Sequence, residues 1–416
     1  MLPERIDTVV IGGGQAGLTM SHRLRDIGRP HVVLERHGIA KRWRTERWDS
    51  LRFQFPNWAV QLPDFPFSHA DPDGFAPRDA IVRFIEDYAA FIQAPVLSPV
   101  AVTALRRLSG SRRFQVETSA GTVEAMNVVV ATGPYQRPAV PPILRGSMGG
   151  IVQVHSSGYG NPGQLPPGGV LVVGAGASGA QIAEELQLAG RRVYLSVGAH
   201  RRLPRRYRGR DVIWWLGALG MDETTVQMRP PDHSPLVISG AGGGHTIDFR
   251  RFVADGMLLV GRTLAAENEK MSFAADLAAN LRQGDATYAG FLVAADRHVL
   301  HAGLDMPEDF SARDVFPDPR ELVQLILSLD LAAEGIASIV WATGFRPDYR
   351  WLDLPVIDDK GHLRHDGGVV AAPGLYALGL PFLRRRKSTF ISGAEDDARE
   401  LVDHLAGYLS TPASRS

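Results

Sequence analysis

Two glycine fingerprints, Gly12-Gly13-Gly14-Gln15-Ala16-Gly17 and Gly174-Ala175-Gly176-Ala177-Ser178-Gly179, each stand between a β-forming run and a helical pattern. Such a turn binds phosphate. Its first glycine permits the tight bend, the second lets a pyrophosphate approach the backbone, and the third lets helix and strand pack closely, while the helix N-terminus offers N–H groups to the anion. The two units differ at the end of their second strands. The first closes on an acid, Val32-Val33-Leu34-Glu35, and a carboxylate there accepts hydrogen bonds from an unmodified ribose. The second closes on Val193-Tyr194-Leu195-Ser196 with Arg201 and Arg202 soon after, a hydroxyl plus a bidentate clamp suited to a 2′-phosphate. One dinucleotide of the FAD or NAD type and one of the NADP type are therefore expected. That is the equipment of a flavin enzyme reduced by NADPH. In this reading Gly12, Gly14, Gln15, Gly17, Glu35 and Arg36 serve the first dinucleotide, and Gly174, Gly176, Ala177, Ser178, Gly179, Ser196, Arg201 and Arg202 serve the second.

The elements that must position these residues can be read around them. Residues 6–11 form a short buried-strand pattern, and the helix after Gly17 carries Leu18, Met20, Leu24 and Ile27 before Gly28 ends it. From 41 to 80 the chain turns aromatic and proline-rich, with Trp43, Trp48, Phe53, Phe55, Trp58, Phe65 and Phe67 either lining the flavin or forming core under a loop. Residues 80–93 read as an amphipathic helix. Val128-Val129-Val130-Ala131-Thr132-Gly133 reads as a strand ending in a sharp turn, and Ile339-Val340-Trp341-Ala342-Thr343-Gly344 repeats that ending. A glycine-rich hairpin is expected at 239–244, helices near 273–282 and 320–330, a strand over 374–379, a helix over 395–408, and a disordered tail from Thr411. Proline-rich stretches at 134–142 and 161–169 bracket a boundary. The expected fold is α/β with two Rossmann-like dinucleotide-binding domains, the second inserted into the first: 1–164, then 165–334, then a return over 335–416.

At 416 residues with 44% hydrophobic content, the chain is long enough for two domains with sizeable cores. The 45 basic and 45 acidic residues cancel, which removes any general attraction to nucleic acid or anionic membrane. Zero cysteines exclude disulfides, thiolate metal sites and the redox-active cysteine pair of many two-dinucleotide flavoproteins, so electrons must leave from the flavin directly. The 13 histidines show no ligand spacing with Asp or Glu, and no metal site is expected. The first strand begins at about Ile6 and no apolar run reaches membrane-spanning length, from which a soluble cytoplasmic protein without a cleavable signal is expected.

Several motifs together carry a resemblance. Gly12 to Gly17, Trp43 with Arg47-Trp48-Asp49-Ser50-Leu51, Ala131-Thr132-Gly133, His155-Ser156-Ser157-Gly158-Tyr159, Gly174 to Gly179 and Ala342-Thr343-Gly344-Phe345-Arg346-Pro347 resemble, in this order, the signature of class B flavin-dependent monooxygenases. Leu203-Pro204-Arg205-Arg206-Tyr207-Arg208-Gly209-Arg210-Asp211 with Trp214-Trp215, and Gly379-Leu380-Pro381 with Arg386-Lys387-Ser388, are similar to the bacterial CzcO-like branch. One departure stands out. The family fingerprint runs Phe, any, Gly, three residues, His; counted back from His155, Gly149 takes the aromatic place and Ile151 the glycine place, with Gly150 one residue early. His155 is accordingly read as a structural hinge residue rather than a proton donor.

The resemblance implies a cycle in which NADPH delivers hydride to FAD, and the reduced flavin adds O2 to give a C4a-(hydro)peroxide in a water-excluded cleft. One oxygen atom then passes to a small organic substrate, with N- or S-oxygenation favoured over Baeyer-Villiger insertion into a ketone. The alternative is an NADPH-dependent flavin reductase passing electrons to a quinone, a redox protein or O2. Alignment on the family places Gln54 where relatives carry an asparagine beside flavin and nicotinamide, with Asn57 as its rival; both could also merely close a loop. Trp43, Trp48, Thr132, Gly133, Thr343, Gly344 and Gly379 are assigned to cofactor binding. Arg386, Ser388 and Phe390 fall where the family places flavin ring and substrate, and are read either as substrate contacts or as a solvated run. Small-molecule substrate and O2 are the expected partners, with no nucleic acid and no membrane; the sequence leaves the oligomeric state open.

Overall fold

The structure, a computed structural model, describes residues 1–142, 144–145, 148–229 and 234–410. The tail expected to be disordered from Thr411 lies outside the described residues. In the first unit, β1 (Arg5–Ile11), α1 (Gln15–Asp26), β2 (His31–Leu34), α2 (Arg78–Phe91), β3 (Val96–Leu97) and β4 (Gly121–Val130) follow in order. β1 pairs in parallel with both β2 and β4, and β3 extends the sheet beyond β2. Val9, Val10 and Val128 to Val130 are wholly buried, as expected of strands covered on both faces. α1 ends with Arg23 and Arg25 in its last turn, where cations complement the helix dipole, and Gly28 follows at φ +66°.

The second unit comprises β5 (Val152–His155), β6 (Gly169–Val173), α3 (Ala177–Leu188), β7 (Val193–Ser196), β8 (Leu258–Val260), α4 (Leu277–Ala302) and β9 (Ile336–Trp341). Its sheet is all parallel in the order β5, β9, β6, β7, β8. The chain then returns to the first sheet with β10 (Leu375–Ala377), parallel to β4, and closes with α5 (Ala394–Ser410) against α1. The fold is thus α/β with two Rossmann-like units.

Expectation and structure diverge in three places. Ile336–Trp341, assigned to the returning first unit, hydrogen-bonds into the second sheet between β5 and β6, and Val152–His155 joins it there, upstream of the boundary expected near residue 165. The glycine-rich segment 239–244 is no hairpin but a 3-10 turn at Ala241–Gly243, with Gly242 to Gly244 all at positive φ. The helix expected over 273–282 runs Leu277–Ala302, whereas 320–330 holds only a short 3-10 turn and a strand at Ser328–Asp330.

The two units repeat one construction. A Cβ on Gly12 would lie 2.5 Å from the Ala131 carbonyl oxygen, and one on Gly174 would lie 2.6 Å from that of Ala342. On Gly17 it would stand 1.9 Å from the Gly12 oxygen, and on Gly179 1.8 Å from the Gly174 oxygen. Each fingerprint therefore presses its turn against an Ala-Thr-Gly strand end, with Gly12 and Gly174 at φ +113° and +104°. The close approach is why these positions admit glycine alone.

Candidate functional site

Between β1 and α1, the Gly13 N–H donates to Glu35 Oε2 at 2.8 Å and the His37 N–H to Glu35 Oε1 at 2.9 Å. The acid at the end of β2 thereby ties the phosphate turn to its own strand. Gly14 is the N-cap of α1 without a side-chain cap, and a Cβ there would meet nothing within 4 Å, so the turn faces open space. That space is the end of a cleft of about 510 Å3.

The cleft runs from Glu35 and Arg36 past Gln15 to the aromatic segment. Trp43, Trp48, Phe53, Gln54 and Phe55 line one wall, and Thr132, Gly133, Gly379 and Phe390 another. Ring packing fixes the first wall: Trp43 meets Phe53 edge-on at 5.6 Å, Phe53 tilts on Phe55 at 5.5 Å, and Phe55 meets Phe390 edge-on at 4.8 Å. Trp48 is buried in the core of the second unit, which fastens the segment to both units. At the far end Ala177 and Ser178 from the first turn of α3 reach the same cleft. Both fingerprints therefore open on one space.

Two cations in the cleft, Arg42 and the Arg47 of the signature, carry no assigned role in the sequence reading. Arg42 donates to the Gln136 carbonyl at 2.9 Å and lies 3.5 Å from Glu46, but its Nη1 is buried without a partner. Arg47 sits 5.4 Å over the Trp43 ring and 5.3 Å over Tyr135 and makes no ion pair among the described residues. Burial pushes both guanidinium pKa values down. An anion would relieve both, so the donor set fits the diphosphate of a dinucleotide. Their position around Trp43, one residue before it and four after it, was the available signal.

Other expected site residues stand elsewhere. Asn57 lies outside the cleft; its amide donates to the Asp71 carbonyl at 2.8 Å and closes a loop. Ser196 is buried at the end of β7, donating to the Gly261 carbonyl at 3.0 Å and accepting from the Thr263 N–H, so its hydroxyl is spent on the segment that follows β8. Arg202 is likewise consumed, paired with Asp248 at 2.6 Å and Asp285 at 3.1 Å over the Tyr288 ring. Arg201 is half-buried. Its N–H donates to the Pro235 carbonyl and its Nε to that of Ser234, both at 2.9 Å, and Pro235 adjoins the Gly176 turn. Ser388 is fully buried and accepts from the N–H groups of Arg384 and Arg385, and Arg386 packs against Phe382; neither lines the cleft.

Gly174, Gly176 and Gly179 form the second turn. Thr343 and Gly344 stand beside it, the Thr343 hydroxyl donating to the Ala139 carbonyl. The Gly344 carbonyl accepts from His155 Nε2 at 2.9 Å, while His155 Nδ1 accepts from the Ser157 N–H at 3.1 Å. Burial lowers the His155 pKa, and both ring nitrogens are engaged in holding the linker.

Residues 9–215 match the family model described as pyridine nucleotide-disulphide oxidoreductase. An uncharacterized CzcO-like oxidoreductase of Geobacillus kaustophilus is 31% identical over 407 residues, 97% of this chain and 99% of the relative. An indole-3-pyruvate monooxygenase, YUCCA8 of Oryza sativa, is 30% identical over 213 residues, 48% of this chain and 50% of that protein. Among solved structures, the flavin-containing monooxygenase from Stenotrophomonas maltophilia superposes with a TM-score of 0.67 at 19% identity, covering 98% of this chain and 100% of that one. Among the described residues no helix is long and apolar enough to cross a membrane. Full-length similarity places the chain in the CzcO-like oxidoreductase family, and the doubled fingerprint architecture gives it the fold of the flavin-containing monooxygenases.

Proposed function

We propose that this chain is an FAD- and NADPH-dependent monooxygenase that transfers one oxygen atom to a small organic molecule, with nitrogen or sulfur oxygenation ahead of insertion into ketones. A single continuous cleft lined by residues of both fingerprints carries this reading: two dinucleotides seated on the two turns would direct their reactive ends into it. FAD, when bound, supplies the two-electron chemistry and the activation of dioxygen. The chain's own residues do the rest. Glu35 takes the ribose of FAD, and Gly14, Gln15 and Arg42 its diphosphate. Trp43, Phe53, Phe55 and Phe390 exclude water, and the Gln54 amide offers a donor and an acceptor where oxygen is transferred. Arg201, beside the second turn, meets the 2′-phosphate of NADPH. We place the second unit at about residues 152–341, with 1–151 and 342–416 forming the first.

FAD-loaded protein supplied with NADPH in air, screened against amines, sulfides and ketones with H2O2 release subtracted, tests the reading. Substrate-dependent product matching NADPH consumed is expected. Electrons recovered wholly as H2O2, or delivered to a quinone, replace it with a reductase.

A further inference from the structure

The motif 203–211 contributes nothing to the cleft lining, yet it holds the most fully bonded arginine of the second unit. Arg205 is 2% exposed. Its Nε and Nη2 grip the Asp211 carboxylate at 2.9, 2.7 and 2.7 Å. Its Nη1 donates to the Gln54 carbonyl at 2.8 Å and to the Ser239 carbonyl at 3.3 Å. A guanidinium has five N–H donors in a rigid fork, and here five bonds use them. The hairpin that carries it pairs Arg206 with Asp211 and Tyr207 with Arg210. Asp211 also accepts from the Ile213 N–H at 2.8 Å, capping the helix Val212–Ala218, so the arginine is anchored to a rigid element.

A second contact meets the same stretch of cleft wall. A Cβ on Gly240 would lie 2.2 Å from the Phe53 carbonyl oxygen and 3.1 Å from Phe75 Cβ, so the 3-10 turn rests directly on the backbone before Gln54. Phe75 in turn lies under the Arg205 guanidinium at 4.5 Å. Two successive carbonyls of the first unit, those of Phe53 and Gln54, are thus seated on the second unit.

We propose that Arg205, locked by Asp211, is a positioning residue that sets the Gln54 backbone against the second unit, so that the Gln54 amide stands at a fixed depth in the cleft. The inference rests on the role given to Gln54 above. It gives the buried arginine of the motif a task although the motif does not line the cleft: Arg205 is a strut between units.

Two variants approach the strut from opposite sides. Arg205→Lys keeps a charge for Asp211 but has three donors and no fork; Gly240→Ala leaves the ion pair intact and pushes on the Phe53 carbonyl. Gly217→Ala, at a helical position with open space around it, is the control. Retained FAD content and melting temperature establish that each variant folds. Hydrogen exchange in peptides spanning 51–59 of the FAD-loaded protein is expected to quicken by about tenfold in Arg205→Lys, as for loss of one charge-assisted bond, and to quicken in Gly240→Ala as the added methyl displaces the Phe53 carbonyl. The share of NADPH electrons released as H2O2 is expected to rise, with the rate of flavin bleaching by NADPH unchanged. Exchange equal to wild type in both variants overturns the strut. Faster exchange with unchanged H2O2 release overturns its part in oxygen transfer. A wild-type protein that oxygenates nothing overturns the function proposed above, and its exchange data still decide the strut independently.

Discussion

Replacing Arg201 and Arg202 one at a time separates coenzyme recognition from scaffold stability. The Arg202 side chain is 10% exposed and that of its partner Asp248 7%, at 2.6 Å. Removing the arginine takes the ion-pair partner from Asp248, whose Oδ1 still accepts from the Arg250 N–H at 2.9 Å, whereas Asp285 keeps the Arg250 guanidinium at 2.9 Å. Breaking a buried pair from one side costs about 3–5 kcal/mol, and the retained Arg250 contact puts Arg202→Ala near the lower end, about 3 kcal/mol. At about 2–4 °C per kcal/mol for a unit of this size, the melting midpoint falls by about 6–12 °C. The preference for NADPH over NADH stays unchanged. Arg201→Ala behaves in the opposite way. A charge-assisted bond to phosphate contributes about 1.5–3 kcal/mol, which raises the KM for NADPH by about 10- to 150-fold while that for NADH holds. Thermal melting, together with initial rates of flavin bleaching by each coenzyme, reads both effects. If Arg202→Ala melts like the wild type yet discriminates against NADPH, the buried ion-pair reasoning is refuted; equal losses with both coenzymes in Arg201→Ala refute the phosphate assignment.

Glu35→Gln leaves one of the two backbone N–H groups, Gly13 or His37, without its carboxylate oxygen, and FAD is expected to bind about 5- to 150-fold more weakly at about 1–3 kcal/mol for such a loss. Fluorescence titration of the apoprotein measures it, and an unchanged Kd counts against the role of Glu35. His245 Nε2 lies 2.7 Å from Glu184, whose hydrogen bond raises the histidine pKa. A raised folded-state pKa stabilises fully below the unfolded value of about 6.5 and loses that contribution as pH climbs through the raised value. Exchange in peptides covering 239–247 should therefore outpace its intrinsic pH dependence as pH rises above about 6.5. His245→Asn should remove the excess, and a wild-type profile that follows intrinsic chemistry sinks the coupling.

The legible part of this chain is the part whose physics is local. A fingerprint turn, its strand and its helix lie on one short path, and the glycine positions follow from steric contacts between neighbours along it. Glu35 is readable for the same reason: its partner Gly13 belongs to the same βαβ unit. Arg202 is not, because Asp248 and Asp285 arrive from distant elements, and nothing in the sequence around Arg201 and Arg202 tells the anchoring cation from the one beside the turn. Asn57 and Ser388 escape in the same manner, the Asn57 amide donating to, and the Ser388 hydroxyl accepting from, backbone groups of a loop whose closure a linear string does not display. The strand Ile336–Trp341 belongs to the second sheet although its Thr-Gly ending matches that of β4; the likeness is real, but it marks an equivalent place in the second unit rather than a return to the first.

That equivalence bears on how one architecture separates two cofactors. Both units press a glycine turn against an Ala-Thr-Gly end, so the diphosphate seats are geometrically alike and discriminate little. Discrimination has to come from the end of the second strand. In the first unit that end is Glu35, held by the turn's own amide and repelling any 2′-phosphate. In the second, the Ser196 hydroxyl is sealed against Gly261 and Thr263, which removes the acid without offering a donor. Under the proposed function recognition would pass to the next strand, Arg201–Arg202, laid against Leu236–Val237, where Arg202 is spent on anchoring and the Arg201 N–H bonds Pro235 next to the turn. Anchoring one arginine fixes the short strand that carries its neighbour, and under the function proposed above that strand would present Arg201 to the 2′-phosphate.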